Sequence, residues 1–214
     1  MKTEFAKRFG GKFIVFDGGD GCGKSTQAGL VSEWLNENGV ATAGFRDPGD
    51  TVVGEKIREI LLDTEHEAMA DNTEVLLYMA ARAQLWEEKI APALASGKCV
   101  VMDRWVSSTC AYQGYGGGFG IEKVVRIAND CLERTWPDIT VILEANLETA
   151  AERMNRALDR MELKGDEYHG RLREGFARLA EMYDNVVKLD ASRSIEEVFV
   201  EVKGVLEEFV SRES

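Results

Sequence analysis

The stretch that most constrains this chain is G-G-D-G-C-G-K-S, residues 18 to 25, which follows the apolar run Phe13-Ile14-Val15-Phe16. Gly18, then Gly23-Lys24-Ser25 at the required spacing, matches a phosphate-binding loop, with Gly19, Asp20, Gly21 and Cys22 as its interior and Thr26 beside it. Glycines let successive backbone N–H groups converge on a phosphate, the lysine neutralises the transferring end, and the serine hydroxyl reaches magnesium. A tight glycine turn with a solvated lysine has the same composition but does not require a buried strand before it and a helix after it. The motif implies nucleotide use and leaves the reaction open.

Apolar runs recur near 40–45 and at 99–102, 139–143 and 186–189, each followed by a longer stretch with helical spacing. This alternation predicts βα units and a parallel sheet covered on both faces. The first helix is predicted to start within Gly23-Lys24-Ser25 and stop at Asn38-Gly39, with phosphate at its N-terminus. Another starts near Asp71, with Glu74 as its capping partner, and Pro92 is expected to kink or break it. Residues 113–120, Q-G-Y-G-G-G-F-G, read as a mobile loop. Helical patterns at about 146–160 and 166–184 flank a turn at Lys164-Gly165-Asp166. No internal repeat or long linker interrupts the chain, so residues 1–214 are expected to form one domain.

With 26 basic and 38 acidic residues the net charge is −12, which repels nucleic acid and anionic membrane. Any anionic ligand must be held by locally clustered arginine and lysine. The four cysteines, at 22, 99, 110 and 131, share no C-x-x-C spacing and lie far from both histidines, so free thiols are expected and a structural zinc site is not. Without an apolar stretch of signal-peptide or membrane-span length, the chain reads as soluble and cytoplasmic.

A second constellation is Val100-Val101-Met102-Asp103-Arg104, an apolar strand that ends in an acid and an arginine. At the carboxyl end of a strand this pair faces the ligand crevice, where Asp103, with Ser25, would hold magnesium and Arg104 a second phosphate. A surface ion pair is the alternative. Ser108, Thr109, Tyr112 and Gln113 follow as groups able to read a base or sugar. Tyr78 and Arg82, four apart, share a helix face and suit a stacked base with a hydrogen-bonded edge, although core packing suits them as well. Arg153, Arg156 and Arg160 have i, i+3, i+7 spacing and would share a helix face, either over a transferring phosphoryl group or paired with Glu148, Glu152 and Asp159.

Together the segments F-D-G-G-D-G-C-G-K-S-T-Q, R-D-P-G-D-T, E-V-L-L-Y-M-A-A-R-A-Q, D-R-W-V-S-S-T-C-A-Y-Q-G, L-D-R-M-E and L-D-A-S resemble the thymidylate kinase family, which phosphorylates dTMP to dTDP with ATP. The resemblance extends from about residue 12 to 210. It implies a P-loop NTPase fold of the nucleoside monophosphate kinase type, a three-layer α/β/α arrangement on a five-stranded parallel sheet. It also implies Mg2+, a homodimer formed through helices flanking the sheet, and a mobile lid around 153–166.

Position by position, the resemblance puts Asp20 at the deoxyribose 3′-hydroxyl, Tyr78 against the base, and Arg82, Thr109 and Gln113 at the thymine edge. Arg104 and Arg58 would hold the acceptor phosphate, Tyr112 would sit against the sugar, and Asp47, Pro48 and Ser108 would complete the dTMP site. Ala191 and Ser192 fall in the adenine-lining loop, and Arg160 would join the ATP site. No arginine stands inside the phosphate loop, so the lid arginines Arg153 and Arg156 join Lys24, Asp103 and Arg104 as catalytic candidates, an arrangement like the bacterial one.

Three positions depart from the family pattern. The usual E-P-G-G-T is Asp47-Pro48-Gly49-Asp50-Thr51, with a shorter acid at 47 and, at 50, a carboxylate in place of glycine that is expected near the anionic acceptor; Trp105, where tyrosine or histidine is usual, is expected at the sugar side of the pocket. A kinase for another pyrimidine deoxynucleotide, or a nucleotide-dependent switch, would share the phosphate loop. A switch would have no use for a second, base-reading set of residues.

Overall fold

The computed structural model describes residues 2–153 and 159–212. Five strands, β1 (Phe13–Gly18), β2 (Thr42–Arg46), β3 (Cys99–Asp103), β4 (Ile139–Glu144) and β5 (Val186–Asp190), form one sheet in the order β2-β3-β1-β4-β5. Every pairing is parallel. β1 lies at the centre and is buried along its whole length, because helices cover both faces of the sheet.

The alternation of side chains along each strand splits the core into two layers. Phe13 and Val15 of β1, with Val100 and Met102 of β3, pack under α4 (Asp71–Leu85), α7 (Ile121–Cys131) and α9 (Gly165–Met182). Ile14, Phe16 and Val101 point the other way, toward α1 (Lys2–Phe9), α2 (Lys24–Glu37) and α10 (Ile195–Arg212). The five apolar runs thus form the five strands of a three-layer α/β/α sandwich.

Local chemistry sets the element ends. α2 starts after Gly23 at φ +89° and stops at Asn38, whose N–H reaches the Trp34 and Leu35 carbonyls, before Gly39 at φ +85°. α3 (Val52–Leu62) is capped by Thr51, whose hydroxyl accepts the Gly54 N–H at 2.9 Å. Such a cap stabilises a helix by about 1 kcal/mol.

Elsewhere the structure differs from the sequence expectation. α4 begins at Asp71 without a side-chain cap, and Glu74 is turned inward and buried. Pro92 does not end the helical path. A π-helical turn at Trp86–Ile90, closed by the Ala91 N–H on the Trp86 carbonyl, leads into α5 (Ala91–Ala95), where the proline occupies the first turn and its missing N–H is harmless. The glycine-rich segment expected as a mobile loop is largely ordered. α6 (Val106–Thr109) runs directly into a π-helical stretch, Cys110–Gly116, that ends with the Gly117 N–H on the Tyr112 carbonyl at 2.8 Å. Close packing accounts for its lack of side chains, since a Cβ on Gly116 would sit 3.2 Å from the Tyr168 ring of α9. Tyr168 in turn donates to the Tyr112 carbonyl at 2.9 Å.

The helix expected over 146–160 is shorter in its described part. α8 (Leu147–Arg153) is followed, after residues outside the description, by a turn at Arg160–Leu163 held by Asp159 Oδ1, which accepts the N–H groups of Met161 and Glu162. Arg160 therefore does not sit on a common helix face with Arg153. Arg156 lies outside the described residues.

Candidate active site

All five strands end at one edge of the sheet, and the chain after β1 crosses to β2 on one side while β4 and β5 lie on the other. That reversal opens the crevice in which open α/β sheets hold ligands. Beside it, Gly18 has φ +132°, and a Cβ there would come within 2.1 Å of the Leu143 carbonyl oxygen. At Gly21, with φ +73°, a Cβ would meet the Ala150 carbonyl oxygen at 2.4 Å. Only glycine admits this path, so the loop wraps closely between β4 and α8 before entering α2.

Lys24, buried in the first turn of α2, donates to the Gly19 carbonyl at 2.6 Å and spans the loop. The next residue, Ser25, donates its hydroxyl to Asp103 Oδ2 at the end of β3. Both border a cleft of about 460 Å³ that is also lined by Thr26 and Ala191. Six cationic side chains, Lys24, Arg46, Arg58, Arg104, Arg153 and Arg193, face three carboxylates there, so the acidic chain concentrates positive charge at this mouth. Arg153 reaches across it, donating to the carbonyls of Ala191 at 2.9 Å and Arg193 at 3.1 Å. Ser192 is not on the cleft wall; its hydroxyl accepts the Asn146 N–H.

A second, narrower cavity of about 80 Å³ adjoins the cleft. Asp20, Asp47, Arg58 and Arg104 line both cavities, so the two meet at these four residues. Pro48, Tyr78, Arg82, Ser108, Thr109, Tyr112 and Gln113, which the family resemblance groups together, all line the narrow cavity. Leu62, Asp159 and Met161 also line it and were not anticipated.

Arg104 is the hub of the junction. It adopts φ +71°, a strained conformation for a non-glycine residue that aims the guanidinium back at the phosphate loop. Its Nη1 donates to the Gly18 carbonyl at 2.8 Å and to Ser108 at 3.0 Å, and its Nη2 donates to Asp20 Oδ1 at 2.5 Å and Tyr112 Oη at 3.2 Å. Tyr112 donates to the other Asp20 oxygen at 2.8 Å. Burial opposes the Asp20 charge, but Arg104 and Lys24 outweigh it and hold the carboxyl well below the usual aspartate range. Burial, reinforced by Asp20, keeps the Tyr112 hydroxyl protonated and donating.

Beneath this junction lies Asp17, which sequence reasoning missed. It is fully buried at the end of β1 and accepts from Ser107 at 2.5 Å, Ser108 at 2.6 Å and the Gly18 N–H at 2.9 Å. An aspartate ending an otherwise apolar strand was the available signal.

Arg82 is fully buried in the wall of the narrow cavity. Its Nε donates to Asp47 Oδ2 at 2.9 Å, and its Nη2 to the same oxygen, to the Trp105 carbonyl at 3.1 Å and to Thr109 at 3.2 Å. Burial pushes the Asp47 carboxyl above its ordinary range, against the pull of Arg82. Arg58 donates to the Pro48 carbonyl at 3.0 Å. Gln113 donates through Nε2 to Glu74 at 2.7 Å. Tyr78 is half-buried at the cavity wall, and desolvation raises its hydroxyl well above the ordinary tyrosine range.

Three expectations change with this geometry. Arg160 does not line the phosphate cleft; its guanidinium is buried against Glu74 at 2.5 Å and the Leu61 carbonyl at 2.9 Å, because the turn at 160–163 points it toward α3 and α4. Asp50, at φ +58°, folds its carboxylate back onto the Arg46 N–H at 2.6 Å and does not line the narrow cavity. Trp105 is core, fully buried against Phe13 and Trp86 with its indole N–H on the Thr135 carbonyl at 2.9 Å, so it forms no pocket wall.

The family model for thymidylate kinase matches residues 16–202. The chain is 42% identical over 202 residues to the thymidylate kinase of Caldanaerobacter subterraneus subsp. tengcongensis, covering 94% of this chain and 97% of that one. It is 42% identical over 200 residues to that of Fervidobacterium nodosum, covering 92% and 100% respectively. The crystal structure of thymidylate kinase from Ehrlichia chaffeensis superposes with a TM-score of 0.75 at 29% identity, over 92% of this chain and 98% of that one. A cationic cleft at the glycine loop joined to a narrower cavity on this sheet, together with these likenesses over nearly the full length, places the chain in the thymidylate kinase family.

Proposed function

We infer that the protein transfers the γ-phosphoryl group of ATP to dTMP, giving dTDP. The junction of the two cavities at Arg104 and Arg58 carries this reading, because it puts two cations where donor and acceptor phosphates would meet. The acceptor is already an anionic oxygen nucleophile, so alignment and charge neutralisation suffice and no strong base is needed.

In this reading Gly18 to Thr26 cradle the ATP phosphates, and Lys24 moves from the Gly19 carbonyl onto them. Ala191 borders the nucleoside end. Arg104 and Arg58 hold the acceptor phosphate, Asp20 and Tyr112 meet the deoxyribose, Tyr78 stacks on the base, and Arg82 with Thr109 and Gln113 reads its edge. Asp47 and Ser108 position Arg82 and Arg104. Ser25 and Asp103, a hydroxyl and a carboxylate in contact at the cleft, are hard oxygen donors that suit Mg2+, which keeps waters and phosphate oxygens as its remaining ligands. When bound, that ion neutralises charge on the transferring phosphates. Arg153, the lid arginine within the described residues, supplies positive charge at the cleft mouth, and closure of the 153–166 segment would exclude water.

The assignment extends to a cytoplasmic enzyme of one domain that works as a homodimer. Exposed Val53 and Ile60 on α3 and Leu76 on α4 are apolar surface available to a second copy. Among the described residues no helix is long and apolar enough to cross a membrane.

The test is a coupled assay of ADP release from Mg-ATP with no acceptor and then with dTMP, dUMP, TMP, dCMP, dGMP and AMP in turn. Strong stimulation by dTMP, with weak response to TMP and the purines, is expected. ADP release that no acceptor stimulates would replace this reading with a switch or regulatory ATPase.

A further inference from the structure

We propose that Glu74 is a positioning residue that sets the hydrogen-bond polarity of the base cavity, and so makes it accept thymine and refuse cytosine. Glu74 is buried on α4, yet its carboxylate is fully engaged: Oε1 accepts from Gln113 Nε2 at 2.7 Å, and Oε2 pairs with Arg160 Nη2 at 2.5 Å. Lys164 Nζ stands 3.7 Å from Oε1. A carboxylate only accepts hydrogen bonds, whereas a glutamine amide has a donating and an accepting end. The carboxylate therefore fixes which end of Gln113 faces it. The amide NH2 is held outward, and the carbonyl oxygen is the end left to the cavity that Gln113 lines.

Arg82 supplies the complementary half. Its Nε and Nη2 are taken up by Asp47, the Trp105 carbonyl and Thr109, while Nη1 faces the Met79 sulfur at 3.4 Å, a weak acceptor that yields readily to a carbonyl oxygen. The cavity thus presents a fixed donor from Arg82 and a fixed acceptor from Gln113. Thymine offers a 4-carbonyl acceptor next to a ring imide N–H donor, which matches both. Cytosine offers a 4-amino donor next to a bare ring nitrogen, which mismatches both and leaves four polar groups unpaired in a buried site. Without the Glu74 charge the Gln113 amide turns over freely and serves either base.

This rests on dTMP being the acceptor, so the wild-type protein is measured first with dTMP and dCMP under Mg-ATP. A wild type that does not favour dTMP overturns the dTMP reading itself. Given that preference, Glu74→Gln, close in shape but uncharged, is expected to lower the dTMP to dCMP ratio of kcat/KM at least about tenfold, chiefly through KM. Gln113→Met should lower the ratio comparably, and the double variant should discriminate no worse than Gln113→Met alone, since Glu74 acts through Gln113. An unchanged ratio in Glu74→Gln, or additive losses in the double variant, overturns the assignment. Because Glu74→Gln strands Arg160, the wild-type amide is also followed by 15N-edited NMR as dTMP binds. Contacts from the Gln113 amide protons to Glu74 that persist support the fixed polarity, and new contacts from those protons to thymine refute it.

Discussion

The cradle formed by the glycine loop and the narrow cavity meet at Arg104 yet are built in opposite ways. The cradle is one continuous stretch, Gly18 to Thr26, whose working groups are mostly backbone N–H groups, one lysine and one hydroxyl. The cavity draws single side chains from the loop before α3, from α3 and α4, from the π-helical stretch after α6 and from the turn at 160–163. A cradle made of backbone tolerates variation around it as long as its glycines remain. A cavity made of side chains depends on buried partners such as Asp17, Asp47 and Glu74 that hold its lining residues in place.

The largest expected effects separate the two at their junction. Lys24→Ala should lower kcat by about 10²- to 10³-fold, the scale seen when one charge-stabilising group is removed, with a melting temperature near wild type. Arg104→Ala should lose a similar rate and also lose stability, because it removes the buried ion pairs with Asp17 and Asp20. Steady-state kinetics with thermal melting of both variants checks the contrast, and equal melting losses would break it.

Asp17→Ala comes next. It touches neither cavity, but Ser107, Ser108 and the Gly18 N–H would all lose a buried acceptor, at a cost of about 3 kcal/mol in urea unfolding. A loss below about 1 kcal/mol would mean that the β1 end is not the support shared by cradle and cavity.

Smaller again is Tyr78→Ala. Loss of a stacking ring should weaken dTMP binding about tenfold and leave binding of a non-hydrolysable ATP analogue unchanged in calorimetry. Equal weakening of both ligands would make Tyr78 part of the core and not of the cavity.

The smallest effect is a pH dependence. Arg104 and Lys24 depress the folded-state pKa of Asp20, so the stability it contributes is fully present above its unfolded value near pH ~4 and is lost as pH falls below that. Asp20→Asn should therefore change stability by the same amount at every pH from about 6 to 9, and by less in acid. A cost that varied across the neutral range would mean that Arg104 does not hold the charge.

The sheet and the cradle were legible in the sequence because each is written locally. Five apolar runs gave five strands to within about two residues at either end, and glycine spacing located the turn into α2. The narrow cavity was legible only by resemblance, which brought together side chains that do line one space but did not reveal their partners. Glu74 read as a helix cap and is a buried anchor for Gln113; Arg160 read as a phosphate ligand and is the ion-pair partner of Glu74. The glycines of 113–120 signalled mobility by composition, whereas the first half of that segment completes a π-helical stretch packed against α9.

By itself, then, the sequence determined the order of strands and helices along the chain, the glycine loop before α2 and the residue types that line the narrow cavity, all properties of neighbours in sequence. Only the tertiary structure decided that Asp50 turns back onto the Arg46 N–H, that Trp105 is core, and that Asp17 and Glu74 hold Ser108 and Gln113. These outcomes depend on which distant groups share a buried space, where every donor and acceptor must find a partner, and sequence spacing does not carry that information.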